Sequence, residues 1–206
     1  AVCALTESDN CIRLWVAIAD VSLFVKTGTA LDREAFERST SVYFPDFVSP
    51  MLPEVLSNGV CSLNPFEERA CLVCECLIGQ NGELKEFEFY EGLMQSKRRL
   101  TYEQMQAYIE HEAWAAHELS SLSDSLDSVI DVFHRLNMAR FARGAIDLDI
   151  PEAQVMLKKD GSVLDIQPRE RLDAHRLIEE CMLAANECAA RFLSEKFPGA
   201  MYRIHE

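Results

Sequence analysis

Positive charge is what this sequence has least of. Twenty lysines and arginines stand against 34 aspartates and glutamates, a formal net charge of −14 over 206 residues. Phosphate binding rests on Lys and Arg and on counterion release, so a charge of this sign, if evenly spread, excludes broad electrostatic capture of nucleic acid. Any such binding must be confined to a channel or supplied by separate domains. Long apolar runs are missing as well: no stretch reaches the about 18 residues of a membrane span, and the N-terminus lacks the basic, apolar and small-residue order of a signal peptide. A soluble, cytoplasmic protein with no membrane partner is the expectation. There is no P-loop, no GxSxG elbow, no HExxH and no dinucleotide fingerprint after the first strand. Those absences remove P-loop nucleotide hydrolysis, serine-hydrolase chemistry, zincin proteolysis and Rossmann hydride transfer.

What is present is a core. With 49% hydrophobic residues the chain can bury one, and no repeat, low-complexity tract or linker divides it. Of the eight cysteines, Cys71, Cys74 and Cys76 lie in CLVCECLIG, an apolar strand-like run that alternates residues across a sheet. Cys3, Cys11, Cys61, Cys181 and Cys188 show no paired metal-ligand spacing. Reduced core thiols are expected, with neither a disulfide framework nor a zinc site.

Period-two alternation of Ile12, Leu14, Val16 and Ile18 predicts a strand ending at Asp20. Leu31 to Ser39 reads as a short helix, and the proline-rich stretch from Tyr43 to Pro65 as an ordered, irregular excursion of the kind that often carries function. Cys71 to Ile78 and Glu83 to Tyr90 flank a QNG turn and form a hairpin. A second hairpin pairs Ala153 to Leu157 with Ser162 to Ile166 about Asp160-Gly161. Thr101 with Gln104 fits a capping box for a helix running toward His111. Leu119, Leu122, Leu126, Val129, Phe133 and Leu136 predict one longer helix that Gly144 ends. The helix from Leu172 to Phe197 leaves only a narrow polar stripe, so it is expected to be largely buried at the centre of one α+β unit.

Acidic residues concentrate in Glu103 to Glu118 and Ser120 to Asp131, expected on outer helix faces, while Lys97, Arg98, Arg99, Arg140 and Arg143 give local positive charge. The pairs Asp147/Asp149 and Glu179/Glu180 have the chemistry to bind a hard cation or act as acid and base. Glu179 sits on an apolar helix, where an ionised carboxylate must find a partner or change its pKa; Arg176, three residues before it, is the partner that helical spacing offers.

Several motifs stand in order along the chain: IADVS (Ile18 to Ser22), TSVYFPDFVSPMLPEVLSNGVCSLNP (Thr40 to Pro65), RLTY (Arg99 to Tyr102), RGAIDLD (Arg143 to Asp149), DAHRLIEECMLAAN (Asp173 to Asn186) and YRIHE at the C-terminus. Together they resemble the catalytic (RNB) domain of the ribonuclease II / ribonuclease R family, and SNGVCSLNP is closer to ribonuclease R-type members. The resemblance implies an α+β domain over residues 1 to 206, with mixed and antiparallel sheet and hairpins packed around a largely buried central helix. It implies a Mg²⁺-dependent 3′-to-5′ exoribonuclease that degrades single-stranded RNA processively to nucleoside 5′-monophosphates, with accessory RNA-binding domains in the same parent chain.

Relatives carry a metal-binding DxxxxxDxDD cluster directly before the dipeptide that matches Ala1-Val2, and a TSPIRRY-like segment at a place beyond Glu206. The expectation is therefore a partial domain with no metal ligand of its own, inactive by itself. By the same resemblance Tyr43 is expected to stack on a base, Tyr102 to bond a phosphate oxygen beside the scissile bond, and Glu179 to contact the terminal nucleotide through ribose hydroxyls. Tyr102 and Glu179 are thus the catalytic candidates, and both join Tyr43 as RNA-binding candidates. Asp20 is expected to support the sheet edge, Arg176 to orient carboxylates, and Leu148 stands where relatives commonly have Phe. Residue by residue, the alternatives are a buried Tyr43, a water-bound Tyr102 hydroxyl and a structural Glu179–Arg176 pair. For the whole chain they are a catalytically inactive single-strand RNA-binding relative and an assembly module of an RNA-decay complex.

Overall fold

β1 (Val2–Thr6) and β2 (Ile12–Ala19) open a four-stranded antiparallel sheet. The computed structural model describes residues 1–7, 9–146, 153–197 and 199–202; Asp147, Leu148, Asp149 and most of YRIHE lie outside them. Alternation along β2 sends Ile12, Leu14 and Val16 inward, each at most 1% exposed. Ile18, on the same side, is exposed at the end of the strand. After β2, Asp20 caps a short 3₁₀ turn, its Oδ1 accepting from the Ser22 amide and hydroxyl. Its own amide donates to Ala70 and so ties the strand end to the neighbouring strand.

α1 (Ala30–Arg38) begins at a Thr29 cap that accepts from the Asp32 amide. The proline-rich excursion then contains two short strands, β3 (Val42–Tyr43) and β4 (Val48–Ser49), and an irregular helical turn at Val55–Val60. Phe44 and Phe47, between and beside the short strands, stack on each other at 4.4 Å.

β5 (Glu68–Ile78) and β6 (Leu84–Gln95) form the expected hairpin and extend it at their open ends, giving the sheet order β1-β2-β5-β6. The ladders are antiparallel, and the parallel component is the isolated Pro65–Ser96 bridge. On the face opposite the helices, Glu75 of β5 accepts from Arg13 Nη1, Trp15 Nε1 and the Tyr90 hydroxyl, each at 2.9 Å.

The Thr101–Gln104 capping box is present and starts α2 (Tyr102–Ile109). α3 (Ala113–Glu118) follows, and the longer helix expected from Leu119 is present as α4 (Ser123–Ala142), its first turn replaced by a 3₁₀ turn at Ser120–Leu122. Leu119, 1% exposed, is anchored in a satellite core with Ala107, Tyr108 and Ala115. The apolar spacing thus runs from this anchor through the 3₁₀ turn into α4. Gly144 follows α4 at φ +89°, the left-handed terminator expected there. β7 (Ala153–Leu157) and β8 (Val163–Pro168) form the second hairpin.

α5 (Asp173–Lys196) closes the core. Between Asp173 and Ala190 only Leu183, Asn186 and Glu187 are exposed, the narrow stripe that the sequence shows. Ala174, Leu177, Cys181, Ala184, Ala185 and Cys188 pack with Val129, Val132, Phe133 and Leu136 of α4 and with the inward residues of the sheet. Among the described residues no helix is long and apolar enough to cross a membrane.

Candidate nucleic-acid interface

Tyr102, the first residue of α2, lies at the mouth of a cleft of about 1050 Å³ whose lining also includes Tyr43, Phe44, Trp114 and His175. Tyr43 is 77% exposed. That overturns the buried-aromatic alternative, since Phe44 and Phe47 satisfy each other and leave the Tyr43 ring to solvent. Tyr102 is 42% exposed and stacks on His175 of α5, ring centroids 4.0 Å apart and 24° from parallel.

Two side chains tie the start of α5 to this place. His175 Nδ1 accepts the Leu172 amide at 3.1 Å, and Gln106 Oε1 of α2 accepts the Ala174 amide at 3.0 Å. These are unpaired donors of a helix N-terminus, so satisfying them fixes α2, α5 and the cleft wall together. The sequence offered no strong signal for the roles of His175, Gln106 and Trp114. The Tyr102–His175 stack and the Gln106 bond to Ala174 join residues far apart in the chain.

Glu179 is not in the lining. It lies one turn beyond His175 on α5, where its Oε1 accepts from Arg140 at 3.1 Å and its Oε2 from Arg171 at 2.9 Å. The partner offered by helical spacing is therefore not the one these bonds employ, and Arg176 pairs with Asp173 at 3.2 Å. Burial would raise the Glu179 carboxyl, but the hydrogen bonds from Arg171 and Arg140 outweigh it and hold the group below its ordinary range. Glu180 is 5% exposed and accepts from the same Arg140 Nη1 at 2.9 Å. One guanidinium thus serves a buried and a half-exposed carboxylate, and those bonds hold Arg140 above its ordinary value.

Glu103, Glu110 and Glu112 are exposed, as expected of outer helix faces, and with Arg169 and Glu170 they line the cleft. Helices short enough to end at the cleft present their outer residues to it. Arg98 is paired with Glu118 and Arg140 with the two glutamates, so part of the expected positive charge is already neutralised. Aromatic faces above an acidic lining suit the flat, neutral rings of bases better than a run of phosphates.

Among the described residues, the metal-ligating side chains that converge are Cys74, Cys76 and Cys188. Those soft sulfurs do not fit Mg²⁺, which takes oxygen ligands. The pair Asp147/Asp149 lies outside the described residues.

An α+β domain whose sheet and central helix place exposed aromatics around one cleft defines the class. The RNB domain family matches residues 1–206 in full, and the chain belongs to that family. It is 43% identical to ribonuclease R of Vibrio parahaemolyticus over 206 residues, covering all of this chain and 25% of that protein. It is 45% identical to ribonuclease R of Escherichia coli over 194 residues, 94% of this chain and 24% of that protein. The structure of Mycoplasma genitalium RNase R in complex with ribose methylated single-stranded RNA superposes with a TM-score of 0.91 at 30% identity, covering all of this chain and 32% of that one. The chain spans about a quarter of the length of the curated relatives it matches.

Proposed function

We propose that this chain is the substrate-handling part of the catalytic domain of a cytoplasmic 3′-to-5′ exoribonuclease, which hydrolyses single-stranded RNA processively to nucleoside 5′-monophosphates. The observation that carries the proposal is the meeting of Tyr43 and Tyr102 at one cleft in a chain that matches the RNB domain along its whole length. Tyr43 offers a sequence-blind face to a base, worth about 1–3 kcal/mol. The Tyr102 phenol donates a hydrogen bond to a phosphate oxygen, its ring held by His175. Each Glu179 oxygen accepts one arginine bond and retains a lone pair, so the carboxylate has capacity for ribose hydroxyls while its charge is held in place.

Mg²⁺ belongs to this reading as the hydrolytic metal, with ligands outside the described residues. No step is assigned to it from the side chains present. Accessory RNA-binding domains in the parent chain would supply the affinity that an acidic surface withholds.

The test is incubation of the full-length protein with a 5′-labelled single-stranded oligoribonucleotide and Mg²⁺. The expected result is shortening from the 3′ end with release of nucleoside 5′-monophosphate, while a DNA strand is spared. The acidic lining favours a second reading, an RNA-binding or assembly module without catalysis. Oligonucleotide binding with no shortening would establish that reading and end the first.

A further inference from the structure

Cys74, Cys76 and Cys188 form a second constellation, at the boundary between sheet and helix. Cys74 and Cys76 are two residues apart on β5, so their side chains leave one face of the sheet, and Cys188 meets them from α5. The three sulfurs all lie within 4.8 Å of one another, and the residues are 4%, 1% and 0% exposed. Cys71, on the same strand, gives its thiol to the Gly92 carbonyl at 3.4 Å. The three clustered thiols instead lie against one another.

Arg191 stands one turn further along α5, and thiolate is the form of cysteine that ligates metals.

We propose that Cys74, Cys76 and Cys188 are a binding site for a soft, thiophilic monovalent cation of the Cu(I) class, held by three sulfurs in a trigonal arrangement. Metal–sulfur bonds of about 2.3 Å place trigonal sulfurs about 4 Å apart, inside the spacing found here. A tetrahedral zinc site needs a fourth ligand, and among the described residues no other histidine, cysteine or carboxylate joins the group. Hard cations need oxygen, whereas thiolates select Cu(I) among soft metals. On binding, the three thiol protons leave to solvent and all three sulfurs become thiolates. Arg191 then lies against the added negative charge. Its side chain is 46% exposed, which places solvent one turn from Cys188.

The test is anaerobic titration of the reduced full-length protein with Cu(I) against a chromophoric Cu(I) chelator, with Zn(II) titrated in parallel. The protein should withdraw one Cu(I) equivalent that Cys188→Ala fails to withdraw, and X-ray absorption should count three sulfur neighbours. Zn(II) should remain with a zinc chelator under the same conditions. Failure to withdraw Cu(I), or an equivalent that survives in both folded Cys188→Ala and folded Cys74→Ala, would overturn the proposal. Should either variant not fold, the sulfur count in the wild-type protein decides, and a two-sulfur centre refutes the site.

Discussion

The imidazole of His175 lies flat against the phenol ring of Tyr102, 4.0 Å between centroids, while its Nδ1 accepts the Leu172 amide at 3.1 Å. One side chain therefore fixes both the aromatic at the cleft and the first turn of α5. The two tasks are separable, because the first needs a flat ring and the second an unprotonated ring nitrogen.

His175→Phe should keep the stack and lose the cap, lowering stability by about 1 kcal/mol with affinity for short oligonucleotides near wild type. His175→Ala should lose both, at about 1–2 kcal/mol, and weaken binding as Tyr102 loses its backing. Thermal melts and fluorescence anisotropy on the two variants check this. Equal affinities would show that Tyr102 needs no support.

Tyr43→Ala should leave the melting temperature unchanged, because the ring is 77% exposed. It should weaken binding of short single strands by roughly 1–3 kcal/mol, the value of one stacked base, and lengthen the final fragment of a digest. An unchanged end product together with unchanged affinity would remove Tyr43 from the interface.

Glu179→Ala and Glu180→Ala should separate site from scaffold. Losing Glu180 deprives Arg140 of its buried partner, though Glu179 remains, and should cost about 1–3 kcal/mol. Losing Glu179, which is 40% exposed, should cost less than about 1 kcal/mol. It should also narrow the preference for a ribose over a deoxyribose 3′ end by about tenfold or more, the worth of a hydrogen bond to a charged group. Single-turnover rates on matched RNA and DNA ends measure the second effect. A destabilised Glu179→Ala with wild-type discrimination would make the residue structural.

The Glu179 carboxyl sits below its ordinary value of 4.5 because hydrogen bonds from Arg171 and Arg140 outweigh the effect of burial. As pH falls, the unfolded chain takes up this proton before the folded protein does. The stabilisation is thus complete above pH 4.5 and disappears as pH drops through the lower folded value. Denaturant midpoints of wild type and Glu179→Gln should run parallel down to about pH 4.5 and converge below it. The gap should be small, since solvent screens a half-exposed pair.

Two glycines of the β5–β6 turn should differ sharply on substitution. A Cβ at Gly82, whose φ is +76°, would stand 2.3 Å from the Arg135 carbonyl oxygen of α4, and backbone cannot step aside. Gly82→Ala should cost about 2–4 kcal/mol. At Gly79 the obstruction is the Glu83 carboxylate, a flexible end that can turn away, so Gly79→Ala should stay within about 1 kcal/mol in chemical denaturation.

Local patterns in the sequence announced local structure. The alternation in β2, the QNG hairpin and the Thr101–Gln104 capping box are each settled within a few residues, and each is found in the structure. The start of α4 was not legible, because the same leucine spacing fits a helix from Leu119 or one from Ser123 preceded by a 3₁₀ turn and a buried leucine. Tyr43 and Tyr102 were visible through family motifs, but the His175 ring behind Tyr102 depends on α2 meeting α5. The partners of Glu179 come from 39 and 8 residues away, beyond the reach of helical spacing. The meeting of Cys188 with Cys74 and Cys76 is likewise a product of tertiary packing.

Arg140 is a shared resource: its single Nη1 satisfies Glu179 and Glu180 together. A neutral residue at position 140 would strand the buried Glu180 and leave Glu179 to Arg171 alone, so a change there is felt by two acids at once. In any set of related chains, positions 140, 179 and 180 are expected to drift as a unit, with an altered cation on α4 accompanied by altered acids on α5.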